Sequence, residues 1–181
     1  MASSTARLNK ELYSEITKLK VLSVNSDPKF TLETSPFKDD DDDDDDDSSN
    51  AGATSGSSND INITGLIYPT SDIYNGGAYR IEIKLIPTYP FDAPEVRFLT
   101  SIYHPNVDQD GKFCHELLKK KAKWLPTTSL VEVVKAVTEH IDKPDIDFSL
   151  SISVGREYME NRAEFNRKAL ECVKKHAIPR S

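Results

Sequence analysis

Cys114 is the residue of this 181-residue sequence whose position best suits covalent chemistry. It lies within residues 104–128, where neither a helical nor a strand period holds, and it closely follows the turn pair Asp110-Gly111. Long irregular connections inside compact domains are usually functional, and a thiol placed there is open to a partner. As a thiolate it would be a nucleophile, although a free cysteine taken alone is more often small, buried and inert. That structural interpretation applies with more force to Cys172, on the apolar stripe of the last predicted helix.

Other kinds of catalytic or metal site find no support in the sequence. The four histidines and two cysteines show no paired ligand spacing, so we predict no metal site. His115 adjoins Cys114, but neighbours in an extended segment point in opposite directions, which argues against a cysteine–histidine protease pair. Two cysteines cannot build a disulfide framework. Because the start of the sequence has no apolar signal-peptide core, we expect a reducing cytoplasmic or nuclear location.

The negative charge of the sequence is concentrated in one segment. The net charge is −7, but Asp39–Asp47 are nine consecutive aspartates, and without them the net charge would be +2. Nine like charges repel one another and bury nothing, so we predict that residues 39–60 form a disordered insertion in a single domain spanning residues 1–181. Such a run repels nucleic-acid phosphates, and no stretch is apolar enough to span a membrane. We therefore expect neither nucleic acid nor a membrane as a partner.

Apolar spacing predicts the elements that would hold Cys114 in place. A first helix is predicted over Thr5–Leu22, because its apolar residues share one helical face. An antiparallel meander of three or four strands is expected to follow, from alternating or β-rich segments. These segments lie at Phe30–Glu33, residues 61–67, Tyr79–Leu85 and Val96–Phe98. Asn75-Gly76-Gly77 is interpreted as a hairpin turn with positive φ.

Two helices are predicted after the loop that carries Cys114. Ser129 and Glu132 form a capping-box pattern that opens the first of them, and Pro144 prevents its continuation. The second is predicted over Gly155–His176 as one continuous helix. The order of helix, strands, long loop and helices predicts an α+β domain with an antiparallel sheet.

Four motifs around Cys114 occur in one order. Tyr89-Pro-Phe-Asp-Ala-Pro94 precedes His104-Pro-Asn106, Cys114 follows Asn106 by eight residues, and Trp124-Leu-Pro126 comes last. Together they resemble the signature of the ubiquitin-conjugating enzymes, and the resemblance covers about Ala6–Ala177 without the insertion. It implies that family's α+β fold, with an N-terminal helix, an antiparallel meander sheet, a long active-site loop and C-terminal helices.

The resemblance implies that Cys114 accepts ubiquitin, or a ubiquitin-like protein, as a thioester and transfers it to a substrate or ligase. ATP is consumed by the activating enzyme, so no cofactor is expected on this chain. Asn106 would donate a hydrogen bond to the developing oxyanion, or would hold the loop that does so. One such donor is worth about 3–4 kcal/mol in comparable acyl transfers. His104 is implied to brace the loop, with a role as a base as the alternative; Pro105 is implied to be structural beside the site, and Trp124 to belong to the core.

An acidic residue that orients or deprotonates the attacking lysine is also implied. The segment after the second predicted helix reads Asp142-Lys-Pro-Asp145-Ile-Asp147-Phe-Ser-Leu150. It differs from the family's usual Pro-Asn-Pro-x-Asp-Pro-Leu. Asp147 is favoured for this role, and Asp145 is the alternative.

Partner surfaces follow from the same resemblance. Arg7 and Lys10 match the basic first-helix positions that family members offer to the activating enzyme. Phe91 and Pro126 match the two loops that contact RING-type ligases. The expected partners are therefore ubiquitin or a ubiquitin-like protein, a ubiquitin-activating enzyme, a RING-type ligase and protein substrates.

The sequence departs from the family pattern next to Cys114. His115 replaces the usual leucine, and the segment that leads to Trp124 is longer than usual and carries Lys119, Lys120, Lys121 and Lys123. This loop, together with the short sequence motifs Arg97-Phe-Leu-Thr and Ile-Tyr-His-Pro-Asn, resembles the Fanconi-pathway branch of the family. The lysines are interpreted as a solvated loop, with attraction of acidic partners or of the aspartate run as alternatives. The alternative function is an inactive variant that binds ubiquitin or a ligase.

Overall fold

Four strands pair as one antiparallel sheet, in the order β1-β2-β3-β4, in a computed structural model. The structure describes residues 2–23, 25–37, 60–118 and 123–180, without the side chains of residues 2–9. The strands are β1 (Phe30–Thr34), β2 (Ile61–Ile67), β3 (Tyr79–Leu85) and β4 (Glu95–Phe98). Helix α1 (Ala2–Val21) precedes the sheet, and α2 (Leu130–Asp142), α3 (Ile152–Glu160) and α4 (Arg162–His176) follow it. The predicted α+β class is confirmed.

Side-chain alternation along β3 separates the two faces of the sheet. Its odd-numbered residues are buried, and the pairing of Ile83 with Ile63 on β2 and with Val96 on β4 extends this apolar layer across the sheet. On the opposite face, the Arg80 guanidinium donates hydrogen bonds of 2.6 and 2.7 Å to the carboxylate of Glu33 on β1. One face is therefore committed to the core, and the other carries charged side chains.

Helices α1 and α2 pack together in the same core. The predicted stripe of α1 is buried where its side chains are described, at Leu12, Ile16 and Leu19. The predicted capping box is present at the start of α2, and the Leu130 backbone N–H donates to the Glu15 carboxylate of α1 at 2.9 Å. Since this helix ends at Asp142, its packing positions the segment that follows it.

The prediction of one continuous last helix is wrong. The chain breaks at Asn161, whose backbone leaves the helical region and whose side-chain oxygen accepts from the Glu164 backbone N–H at 3.3 Å. This cap opens α4 in a new direction. Met159, placed on the buried stripe by the periodicity, is 66% exposed because it lies on α3, before the break.

The hairpin interpretation of Asn75-Gly76-Gly77 is also wrong in its physical reason. Neither glycine has positive φ, and the connection between β2 and β3 is a longer turn. Gly77 is required by close packing, since a Cβ there would lie 2.4 Å from the Cβ of Ala177. The segment after α4 passes this point and bridges Ala78 through Ile178.

The predicted disordered insertion lies outside the described residues, except for Asp60. This residue precedes β2 and forms a 2.9 Å ion pair with Lys84 on β3. Strands β1 and β2 flank the insertion and pair from Phe30 with Ile67 to Thr34 with Thr64. The single-domain organisation and the disorder stay predictions.

Candidate active site

The loop that carries Cys114 folds back along β4. Antiparallel bridges join Arg97 to Lys112 and Val107 to Phe113. The predicted turn is present at Gly111, with φ of +81°, where a Cβ would lie 2.0 Å from the Phe98 carbonyl oxygen. Cys114 directly follows the paired residues, and its backbone N–H donates to the carbonyl of Asn106 at 3.1 Å. The thiol is free and half-buried, on backbone held from two sides.

Asn106 is fully buried, and its side chain joins two separate loops. Its Nδ2 donates to the Asp145 carbonyl at 2.5 Å, and its Oδ1 accepts from the Asp145 backbone N–H at 3.2 Å. Because its own carbonyl accepts from Cys114, one residue connects the cysteine loop to the segment after α2. This geometry matches the loop-holding alternative for Asn106.

His104 and Pro105 lie directly before Asn106, and both are buried. The His104 Nδ1 accepts from the Asn106 backbone N–H at 3.1 Å. Burial, with a smaller contribution from His140, lowers the pKa of His104 to about 3, so its imidazole is neutral at pH 7. The Pro105 carbonyl accepts from the Leu150 backbone N–H at 2.8 Å. Both residues therefore contribute hydrogen bonds to the backbone around Asn106.

Asp145 and Asp147 differ in what their carboxylates contact. The Asp145 Oδ1 accepts from the Asp147 backbone N–H at 2.9 Å and caps the short 3₁₀ helix Ile146–Phe148. The Asp147 side chain is exposed, with no hydrogen bond or ion pair to another described residue. Asp147 is therefore the more available of the two carboxylates for a substrate amine.

His115 belongs to an aromatic cluster that we did not predict. Its ring stacks on Phe113 at 6.1 Å and meets the ring of His140 edge-on at 4.5 Å. Its Nδ1 accepts from the Leu117 backbone N–H at 3.0 Å, in the 3₁₀ helix Glu116–Leu118. Burial lowers the pKa of His115, and that of His140 to about 4. Both rings are neutral at pH 7, so His115 can pack where an apolar leucine is usual.

A groove of about 690 Å³ opens beside Cys114. Besides the cysteine, its lining includes Asp108, Asp110, Lys112 and Leu150. We call it the cysteine groove. It brings together the cysteine loop and the end of the segment after α2, so a second reactant has room to approach the thiol there.

The predicted ligase-contact residues lie on two loops that are joined by Trp124. Phe91 is 73% exposed and Pro126 is exposed, whereas Trp124 is 6% exposed and donates from Nε1 to the Pro90 carbonyl at 2.9 Å. Trp124 therefore belongs to the core. Leu125, which we did not single out, directly precedes Pro126 and is 62% exposed.

The predicted basic residues are described only in part. Lys10 is exposed on α1, whereas the side chain of Arg7 lies outside the described residues. Lys119, Lys120 and Lys121 also lie outside them. Lys123 is described, and it forms a 2.6 Å ion pair with Glu116.

Two absences hold for the described part of the chain. None of its helices is long and apolar enough to cross a membrane. In the same residues, no group of three or more His, Cys, Asp or Glu side chains could hold a metal ion.

Comparison with known proteins agrees with this fold. The sequence model of a family described as ubiquitin-conjugating enzyme matches residues 36–173. Ubiquitin-conjugating enzyme E2-18 kDa of Drosophila melanogaster is 38% identical over 117 residues, which are 65% of this chain and 76% of the relative. Ubiquitin-conjugating enzyme E2 ubc-18 of Caenorhabditis elegans is 35% identical over 68% of this chain and 80% of the relative. The chain belongs to the ubiquitin-conjugating enzyme family.

The relationship supports ubiquitin-conjugating transferase activity in general, with ubiquitin, an activating enzyme and a ligase as the kinds of partner. Ubiquitin-conjugating enzyme E2 T of Xenopus laevis is 37% identical over 59% of this chain, and the match spans 56% of that relative. Since relatives with different names match about equally well, the comparisons do not confirm the Fanconi-pathway branch. That assignment stays a prediction.

Proposed function

We propose that Cys114 accepts ubiquitin, or a ubiquitin-like protein, as a thioester from an activating enzyme and passes it to a lysine or a ligase cysteine. The observation that carries the proposal is a half-buried free thiol beside an open groove, on backbone that Asn106 holds in place. The Cys114 thiolate attacks the carbonyl carbon of the modifier, which the activating enzyme carries as a thioester. The new carbon–sulfur bond forms, the bond to the activating enzyme's sulfur breaks, and that thiolate leaves; the resulting thioester is a good acyl donor. ATP is spent by the activating enzyme, so this chain needs no cofactor of its own.

In the transfer step, the lysine amine attacks the thioester carbonyl carbon. The carbon–nitrogen bond forms, the carbon–sulfur bond breaks, and the thiolate of Cys114 leaves. The amine must first lose a proton, and we assign Asp147 to orient or deprotonate it because its carboxylate has no other described partner. Asp145 is the alternative, although its carboxylate already caps a helix.

Asn106 is proposed to act mainly by holding the cysteine loop against the segment that carries Asp147. Both polar ends of its amide are already paired with Asp145. His104 and Pro105 brace the same loop. Arg7 and Lys10 are proposed to contact the activating enzyme, and Phe91 and Pro126 a RING-type ligase, with exposed Leu125 as a further apolar contact.

One gel tests the proposal. The protein is incubated with activating enzyme, ATP and tagged ubiquitin, or a panel of ubiquitin-like proteins, and analysed with and without reductant. A reductant-sensitive adduct that persists in Cys172→Ala and vanishes in Cys114→Ala supports the enzyme. The absence of an adduct with every modifier would overturn the proposal and favour an inactive binding module.

A further inference from the structure

A second groove continues from the cysteine groove around the turn that Asp108 and Asp110 form. It measures about 520 Å³, and the part of its lining that matters here comprises Ile102, Val107, Asp108, Asp110, Leu150 and Val154. We call it the distal groove. Asp108, Asp110 and Leu150 line both grooves, so an extended chain can pass from one to the other.

The junction between the grooves is built on fixed backbone. The Asp108 Oδ1 accepts from the backbone N–H groups of Asp110 and Lys112, at 2.9 and 2.8 Å, which fixes the turn. On the other side, Leu150 is held through its N–H to Pro105 and leaves 38% of its surface exposed. A bound segment would therefore meet a preformed surface.

The distal groove has an acidic and apolar character. Asp108 and Asp110 are the only charged side chains among the described residues that line it, and Ile102, Val107, Leu150 and Val154 supply apolar surface. The Asp110 carboxylate is exposed and has no partner among the described side chains. Arg97 and Lys112 line the cysteine groove and not the distal groove, and the Arg97 guanidinium is fixed at the turn by its Nε, which donates to the Asp110 carbonyl at 2.7 Å. This surface complements a segment with a basic residue beside apolar residues.

We infer that the distal groove binds the acceptor protein, and that it favours acceptor segments in which a second basic residue lies a few positions from the target lysine. This inference rests on the proposed function. The acceptor amine must reach both the thioester on Cys114 and the carboxylate of Asp147. Asp147 lies three residues before Leu150, on the segment that forms the wall shared by both grooves. Because Leu150 lines both grooves, a segment leaving that point has the distal groove next to it.

Peptide acceptors test the inference with the full-length protein. The protein is first loaded with ubiquitin, or with whichever modifier forms the thioester, and loss of the adduct is then timed. The acceptors are free lysine and acetylated peptides that contain one lysine. In each peptide, one arginine or one glutamate is placed at one of the three positions before or after that lysine. We expect the best arginine peptide to react about fivefold faster than its glutamate counterpart at low salt, and this preference to shrink at high salt.

The matched variants are Asp110→Asn and Asp72→Asn, the second at an exposed aspartate outside both grooves. Asp110→Asn should lower the arginine preference, which is the ratio of the arginine-peptide rate to the glutamate-peptide rate, below twofold. Asp72→Asn should retain the preference, with unchanged loading and unchanged discharge to free lysine. Equal rates for all peptides on the loaded wild type would overturn the inference alone. Slower loading or slower free-lysine discharge in Asp110→Asn would indicate that the groove holds the C-terminal tail of the modifier carried on Cys114 and not the acceptor. That result would also overturn the inference. A failure to load would overturn the proposed function and this inference together.

Discussion

At the residue scale, the contacts of the Asn106 side chain distinguish its two candidate roles. It pairs with the backbone N–H and carbonyl of Asp145, in a position that is closed to solvent. An oxyanion donor, by contrast, must point into the space that the substrate occupies. The two roles therefore predict different losses on truncation.

Replacing Asn106 by Ala should destabilise the fold by about 1–3 kcal/mol, since it leaves buried polar groups of Asp145 unpaired. Thermal unfolding of the unloaded protein measures this loss. Relative to wild type, the substitution should also slow discharge of the thioester more than it slows loading. Ser153→Ala, on the exposed side of α3, is the control for a small polar truncation. Unchanged stability with slow discharge would instead support a direct role at the oxyanion.

The buried histidines predict how stability depends on pH. The folded-state pKa values of His104 and His140 are about 3 and about 4, below the ordinary value of about 6.5 expected in the unfolded chain. The unfolded chain therefore takes up protons first as the pH falls. Stability should be fully present above about pH 6.5 and should decline below it, by up to about 1.4 kcal/mol per pH unit for the closed-off His104.

Denaturant unfolding at pH 7.5, 6 and 5 checks this pH dependence. His140→Gln should lose about 1 kcal/mol less than wild type between pH 7.5 and 5, since an uncharged amide replaces a ring that must stay neutral. His176→Gln, exposed at the end of α4, should behave as wild type. Identical pH curves for His140→Gln and wild type would show that this ring does not contribute.

At the element scale, the position of α2 determines where the segment with the candidate carboxylates begins. The carboxylate of Asp142, the last residue of α2, accepts from the Thr70 hydroxyl at 2.8 Å and from the backbone N–H groups of Thr70 and Ser71 at 2.8–3.0 Å. These charge-assisted bonds tie the helix end to the loop after β2. Asp145 and Asp147 follow within five residues.

We expect Asp142→Asn to destabilise the protein by about 1.5–3 kcal/mol, because hydrogen bonds to a charged group are lost and an amide N–H faces backbone donors. Thermal unfolding gives the stability, and single-turnover assays should show slower discharge to lysine than wild type. Asp72→Asn on the same loop serves as the control. Wild-type stability of Asp142→Asn would mean that the helix end is held by other contacts.

At the scale of the whole molecule, the acidic insertion lies in the chain between the paired strands β1 and β2. The pairing of β1 with β2 begins at Thr34 and Thr64, and β2 pairs with β3 from Ile61 onwards. The strands that flank the insertion therefore form these pairs from described residues, without the aspartate run. The charge of −7 belongs to that run, and the rest of the chain carries +2.

Deleting residues 40–58 should leave the fold and the thioester reaction intact and should stabilise the protein by about 1 kcal/mol. The deletion shortens the connection between β1 and β2 about fourfold, which is two halvings of its length. Each halving of a flexible loop lowers the entropic cost of closing it by about 0.6 kcal/mol. Denaturant unfolding measures the gain, and discharge rates at low and high salt test for charge effects. A salt-dependent increase in discharge after deletion would show that the run acts on the active-site lysines.

The fold class and most elements were predictable because their signals are local. Alternation along Tyr79–Leu85 and the capping box at Ser129 correspond to the strand and the helix start that the structure contains. The break at Asn161 was not predicted, because the apolar period continues through it and only the backbone geometry of the cap reveals the change in direction. The glycine at position 77 was predicted for a positive-φ turn, but it is required by close packing against Ala177. That residue lies a hundred positions further along the chain.

By itself, the sequence determined which residues are available for chemistry: one cysteine in an irregular loop, the order of motifs around it, and two aspartates after a helix. Tertiary structure decided what those residues contact. It pairs Asn106 with Asp145, sets the ring of His115 edge-on to that of His140, and leaves the Asp147 carboxylate exposed while Asp145 caps a helix. The reason is physical: periodicity and turn chemistry act over a few neighbouring residues, whereas these contacts join segments that only the packing of α2 and the sheet brings together.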